Sequence, residues 1–320
     1  MTTPSRVVVV TPNPAVDVTY RVDEQRLGET VRVRDVVRRP GGKGVNVTRV
    51  LTALGVPAVA VQPVGGAAGA WFAESLGADV DAVCVPSPVG TRTTVAVDDR
   101  ATHPTLFAEP GDPQPAEVWD RVVGEVDRLA VPGGWVVVSG SLPPETPVDL
   151  VARLVAASHG AGARVLVDTS GAPLLAAAEA RADLLTPNAD EARSATGADD
   201  VRLAVDDLLA CGAGAVVVSR GADGLLARTA TGAEAEQAAV PGVSGNPTGA
   251  GDAATAGLLE ALGADAVSAA SLAPALRRAA VVAAAAVLSA VAGDADPAVL
   301  DGLDARLAPP PPTRPREESP

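Results

Sequence analysis

Lysine occurs once in the sequence, at Lys43, and asparagine four times, at Asn13, Asn46, Asn188 and Asn246. Only two cysteines are present, Cys84 and Cys211, far apart, which leaves no disulfide framework and no zinc-ligand spacing. The two histidines, His103 and His159, share no HExxH pattern, so neither a histidine-built metal site nor Ser-His-Asp chemistry has support. Basic residues are outnumbered, 25 Lys plus Arg against 39 Asp plus Glu, giving a net charge of -14. A protein that grips nucleic acid by its phosphates needs the opposite sign. A small anionic ligand is still compatible, because a local basic pocket can exist on an acidic protein. The longest wholly apolar run is the ten residues Ala279 to Leu288, where a membrane span needs about 20. The apolar start, Arg6 to Thr11, is too short for a signal peptide. The expectation is a soluble cytoplasmic protein that binds neither nucleic acid nor membrane.

What is present is ordinary globular composition, 47% hydrophobic and 20% charged over 320 residues, enough for one large domain. The valine run at 6–11 reads as a buried parallel strand. Further strands are read at Val56 to Val61, Trp135 to Ser139, Val165 to Asp168, Leu184 to Thr186 and Val216 to Ser219, most leading into helical sequence. Repeated strand–loop–helix units predict a parallel sheet covered by helices on both faces, with ligands at the carboxyl ends of its strands. Thr146, followed by Pro147, reads as a helix cap. Apolar and polar residues alternate at Val16 to Val22, Val31 to Val33 and Thr93 to Val97, with Leu106 and Phe107 a possible fourth piece. This pattern predicts a separate small sheet, antiparallel and peripheral. From Gly249 the chain reads as helical to about Leu262, and again from Ala266 to Ala290. The stretch 308–320, with six prolines, reads as a disordered tail.

Four constellations carry chemistry. In Asn246-Pro-Thr-Gly-Ala-Gly-Asp252, small residues lead to an acid at the start of an apolar helix. The first N–H groups of a helix lack internal partners and sit at its positive end. Glycines let an anion approach them, and an Asp there can take a proton from an attacking hydroxyl. A plain helix cap is the competing reading. The GxGxxA match to a dinucleotide fingerprint is weak, since Pro247 precedes it and no strand follows. In Gly41-Gly-Lys-Gly-Val-Asn46, the glycine pair admits a ligand that Lys43 and Asn46 can contact. Asn188-Ala-Asp-Glu191 offers oxygen ligands suited to Mg²⁺ through water, or simply a capping box. Ser219-Arg-Gly-Ala-Asp-Gly224 is a turn whose glycines leave room for a nucleotide.

Taken in order, these motifs resemble the ribokinase/PfkB family of sugar kinases, in its hexose-phosphate branch. Thr11-Pro-Asn-Pro-Ala-Val-Asp17, Gly90-Thr-Arg-Thr-Thr, Ser139-Gly-Ser-Leu-Pro-Pro144 and Val167-Asp-Thr-Ser-Gly171 extend the match to about residues 6–295. The resemblance implies a three-layer α/β domain over 1–307 with a mostly parallel central sheet. It adds a discontinuous β lid from about 16–38 and 91–108 that doubles as a homodimer interface. It implies ATP and Mg²⁺ as cofactors, Asp252 as catalytic base and Gly249, Ala250 and Gly251 as an anion hole. Asn188 and Glu191 are placed near Mg²⁺. Asn188, Gly251 and the run Ser219, Arg220, Gly221, Ala222, Asp223 and Gly224 are placed at the nucleotide. Asp17, Gly41, Gly42, Lys43, Asn46, Arg92 and Ser139 are placed at the sugar phosphate. The expected reaction converts a ketohexose phosphate, foremost fructose 1-phosphate, to a bisphosphate. Tagatose 6-phosphate, fructose 6-phosphate, an unphosphorylated sugar or nucleoside, and a catalytically silent binding protein are the alternatives. The sequence departs from the family at Thr186, where a lysine is common, at the Gly245-Asn-Pro-Thr approach to the base, and at Ala108, where Asn is common.

Overall fold

The computed structural model describes residues 6–26, 28–77, 80–99, 104–289 and 291–307. His103 and the stretch read as a tail, 308–320, lie outside the described residues. The valine strand β1 (Val7–Val10) is wholly buried. It is followed by β2 (Ala15–Arg21), β3 (Asp35–Gly41) and α1 (Lys43–Ala53). Then come β4 (Ala58–Val64), α2 (Gly66–Ser75), β5 (Ala82–Pro86), β6 (Arg92–Asp98) and β7 (Thr105–Ala108). The chain re-enters the body through α3 (Ala116–Leu129), β8 (Trp135–Ser139), α4 (Leu150–Gly160), β9 (Arg164–Asp168) and α5 (Ala172–Glu179). Next are β10 (Leu184–Leu185), α6 (Ala189–Thr196), α7 (Val201–Cys211), β11 (Ala215–Ser219), β12 (Leu225–Thr229) and β13 (Glu234–Gln237). Three helices close the chain: α8 (Ala250–Leu262), α9 (Ala269–Val287) and α10 (Leu300–Asp304).

Among the described residues the large sheet runs β13-β12-β11-β10-β9-β8-β1-β4-β5, parallel except at the β11-β12-β13 end. Its valine-rich strands bury both faces, as parallel strands between helices must. Val7 and Val9 point into one core with α1, α8 and α9, while Val8 and Val10 point into a second core with α3, α4, α5 and α7. These two cores are the outer interfaces of a three-layer, ribokinase-like α/β fold. Helix α9 is long and apolar enough to cross a membrane by length and composition. It instead packs its buried Leu276, Ala279 and Val282 into the same core as Ala253 and Leu258 of α8.

The small sheet, β3-β2-β6-β7, differs from the expectation in two ways. β2 and β6 pair in parallel, Ala15 opposite Arg92 through Arg21 opposite Asp98. The reason is topological. After β3 the chain runs through α1, β4, α2 and β5 before returning, and a crossover of that length brings it back in the same direction. The third strand is Asp35–Gly41, not Val31 to Val33, which alternate but lie outside the ladder. The helix cap at Thr146 is also corrected. α4 begins at Leu150, and the Thr146 hydroxyl donates to the Pro143 carbonyl at 2.7 Å, within its own turn.

Candidate active site

One rim of the large sheet and the underside of the small sheet enclose a cavity of about 530 Å³. Asp17, Thr94 and Leu106 line it from the small sheet, and Asp168, Asn188, Ser219 and Asp252 from the body. The strand-end residues Asp168, Thr186 and Ser219 therefore meet at the carboxyl edge, as a parallel sheet requires.

Asp252 sits in the first turn of α8 and is buried, 5% exposed. Asn46 Nδ2, from α1, donates to Asp252 Oδ2 at 2.8 Å. Burial pushes the Asp252 carboxyl up from 3.8 to about 7, with Asp168 and Asp17 adding to the rise and Asn46 and Lys43 opposing it. A carboxylate poised near neutrality is suited to general-base work. Gly249 precedes α8 as its N-cap at φ 82°, with no side-chain cap. A Cβ on it would also lie 3.1 Å from Ala292 Cβ, so only glycine fits. Ala250 N donates to Pro247 O at 3.1 Å, and Ala253 N to Gly249 O at 2.9 Å. The N–H groups of Gly251 and Asp252 between them take no acceptor among the described residues, the arrangement of an anion hole at a helix start.

Lys43 opens α1 after Gly42. Its Nζ lies 3.2 Å from Asp168 Oδ1 and 3.6 Å from Glu191 Oε1. Burial opposes its charge, but Asp168, Glu191 and Asp252 outweigh burial and hold the ammonium protonated above its ordinary range. Ser139 is fully buried and does not border the cavity; its hydroxyl donates to Asp168 Oδ2 at 3.0 Å. It thus fixes the acid that faces Lys43.

Across the cavity, Asp17 is pushed up to about 6 by burial, against the pull of Arg92, Arg49, the Gly42 N–H and Arg39. A Cβ on Gly41 would overlap the Asp17 carboxylate, which explains the glycine there. Arg92 Nε donates to Asn13 O at 3.1 Å and Nη1 to Glu109 O at 2.7 Å, leaving Nη2 without a partner among the described residues. At the carboxyl edge of the large sheet, Asn188 and Glu191 form a reciprocal capping box: Oδ1 accepts from Glu191 N at 2.9 Å, and Oε2 accepts from Asn188 N at 2.8 Å. Capping uses one Glu191 oxygen, and the other faces Lys43. The capping box is thus present, and it leaves that second oxygen on the cavity side. Gly221–Asp223 form a single turn between β11 and β12. Arg220, Gly221, Ala222, Asp223 and Gly224 lie outside the cavity lining, and Arg220 Nη2 holds the turn through Asp223 O at 3.2 Å and Glu236 at 2.9 Å.

Sequence reasoning gave no role to Asp168, although an acid ending a buried parallel strand was the available signal. Arg39 and Arg49 also border the cavity, and nothing local marks them; Thr248, inside the Asn246 to Asp252 motif, borders it too.

Fold and site together define a class, a small-molecule phosphotransferase with a buried carboxylate beside a helix-start anion hole. The pfkB family carbohydrate kinase profile matches residues 8–298, and the chain belongs to that family. A 1-phosphofructokinase of Rhodobacter capsulatus is 37% identical over 288 residues, covering 84% of this chain and 88% of that protein. Phosphofructokinase-2 of Escherichia coli in complex with fructose-6-phosphate superposes with a TM-score of 0.82 at 27% identity, over 95% of this chain and 99% of that one. Arabidopsis thaliana ribokinase complexed with ribose and ATP shares the fold, with a TM-score of 0.72 at 23% identity over 94% and 98% of the two chains. The protein is thus a carbohydrate kinase of ribokinase-like fold.

Proposed function

We propose that the protein transfers the γ-phosphoryl group of ATP to the free primary hydroxyl of fructose 1-phosphate, forming fructose 1,6-bisphosphate and ADP. The observation that carries this reading is the placement of Asp252. It stands between unpartnered helix N–H groups and a wall bearing Arg92 and Asp17. The acceptor hydroxyl gives its proton to the Asp252 carboxylate as its oxygen bonds to the γ-phosphorus. The bond from that phosphorus to the bridging oxygen breaks, and ADP leaves. The Gly251 and Asp252 N–H groups and the Lys43 ammonium stabilise charge on the group in transit. The R. capsulatus relative supports fructose 1-phosphate over the other ketohexose phosphates.

The donor set fits Mg²⁺ held mostly by phosphates and water. No group of three or more acidic, His or Cys side chains is arranged to hold a metal ion by itself among the described residues, while Glu191 keeps one oxygen toward the cavity. Glu191 and Asn188 are the residues that would hold it, and bound there it would neutralise phosphate charge. The turn Ser219 to Gly224 and Gly251 are read as nucleotide contacts, and Gly41, Gly42, Asn46 and Asp17 as acceptor contacts. A homodimer through the small sheet is part of the same reading. Val36 and Phe107, 43% and 59% exposed, alternate to the face opposite Asp17. Sedimentation at one chain mass would remove it.

Arg92 tests the acceptor side. Its planar fork suits the phosphate already on the sugar. Arg92→Ala should raise KM for fructose 1-phosphate by about 10- to 100-fold, with KM for ATP within about twofold. Equal rises in both would take Arg92 out of the acceptor site.

A further inference from the structure

One ion pair joins two parts of the cavity wall that lie 255 residues apart in sequence. Arg39 is the root of the small sheet, directly opposite Asp17 in the β2–β3 ladder. Its guanidinium meets Asp294 with both arms, Nη1 to Oδ2 at 3.2 Å and Nη2 to Oδ1 at 3.1 Å. Asp294 ends the segment 291–294, whose Val291 and Ala292 line the cavity. This segment rests against both supports of the base. A Cβ on Gly293 would lie 2.6 Å from Asn46 Oδ1, and Asn46 is the residue that donates to Asp252. Ala292 in turn packs against Gly249 at the start of α8.

The pair is partly exposed, at 31% and 45% for the two side chains, so it adds little to global stability. What a two-armed Arg–carboxylate contact supplies is geometry. Arg39 also borders a second cavity of about 650 Å³ that includes Thr52, Ser289 and Asp294, so the pair is not packed on every side.

We infer that Arg39 and Asp294 are positioning residues for phosphoryl transfer: their pairing clamps the 291–294 segment and so sets the root of the acceptor-side sheet against Asn46, Gly249 and the base. The inference rests on the kinase reading above for its kinetic consequence, and on the contacts alone for its structural one. The alignment of an acceptor hydroxyl with a base is steep in distance. Asp294→Asn should therefore lower kcat by about tenfold or more while KM for ATP stays within about twofold and the melting temperature is unchanged. Asp294→Glu should recover most of the loss. The exchanged pair Arg39→Asp with Asp294→Arg should be more active than Arg39→Asp alone. Amide hydrogen exchange, read on the same unliganded proteins, should rise in Asp294→Asn at three places: 291–294, β3 and the first turn of α8. Wild-type kcat in Asp294→Asn, or faster exchange confined to 291–294, would overturn the inference. If the wild-type protein turned over no acceptor, the kinase reading would fall, and the exchange comparison would still decide whether the pair couples the three places.

Discussion

Asp252→Asn is expected to lower kcat by about 10³-fold with the fold intact. The substitution keeps shape and the ability to accept from Asn46, but removes the carboxylate placed in the first turn of α8. The pH dependence follows from the burial that pushes Asp252 up to about 7. The base must be unprotonated, so kcat/KM of the wild-type enzyme should rise with pH through about 7 and level above it, and Asp252→Asn should lose that limb. Stability moves the other way. The folded protein holds a proton on Asp252 over the interval from its ordinary value of 3.8 to about 7, where the unfolded chain has released it. Stability from this group therefore falls as pH rises through that interval. Above it the wild-type enzyme buries a charge at a cost, and Asp252→Asn should melt at the same temperature or higher. A variant that keeps more than a tenth of wild-type kcat would remove Asp252 as the base.

Lys43→Met should be nearly as damaging. The ammonium is the cation that Asp168, Glu191 and Asp252 share, and its removal leaves three acids facing a highly charged donor. Loss of charge stabilisation at the group in transit costs on the order of 10²- to 10³-fold in kcat. Asp252 loses an opposing charge at the same time, so the rising limb of the pH profile should move to higher pH. Lys43→Arg should restore little, because a rigid fork does not replace a compact charge between these oxygens. Near-wild-type turnover with an unmoved limb in Lys43→Met would reduce Lys43 to a solvated surface charge.

Much of this site is legible in the sequence, and the parts that are not share one cause. Asp252, Gly249 and Lys43 stand out because local physics marks them: a helix start without a cap, a glycine pair, a lysine with no other in the chain. The paired fates of Asp168 and Lys43 do not, since 125 residues separate them and only the sheet order brings them together. Arg39 and Asp294 are hidden for the same reason. The small sheet illustrates the limit for the fold. Alternation in β2 and β6 identifies two half-covered strands but carries no record of direction, which depends on the α/β excursion between them. Val31 to Val33 alternate and β3, Asp-Val-Val-Arg-Arg-Pro-Gly, does not, yet the ladder starts at Asp35, opposite Arg21. The capping box at Asn188 and Glu191 shows that one pair can satisfy a local rule and still face a site, so the local pattern does not separate the two roles.

The most direct measurement is ADP release by the wild-type enzyme with MgATP and a panel of acceptors: fructose 1-phosphate, fructose 6-phosphate, tagatose 6-phosphate, free hexoses, ribose and adenosine. The expected result is a kcat/KM for fructose 1-phosphate at least about tenfold above every other acceptor, with Arg92→Ala erasing the preference. Turnover confined to unphosphorylated sugars or nucleosides, or none at all in a protein that still binds ATP, would contradict it.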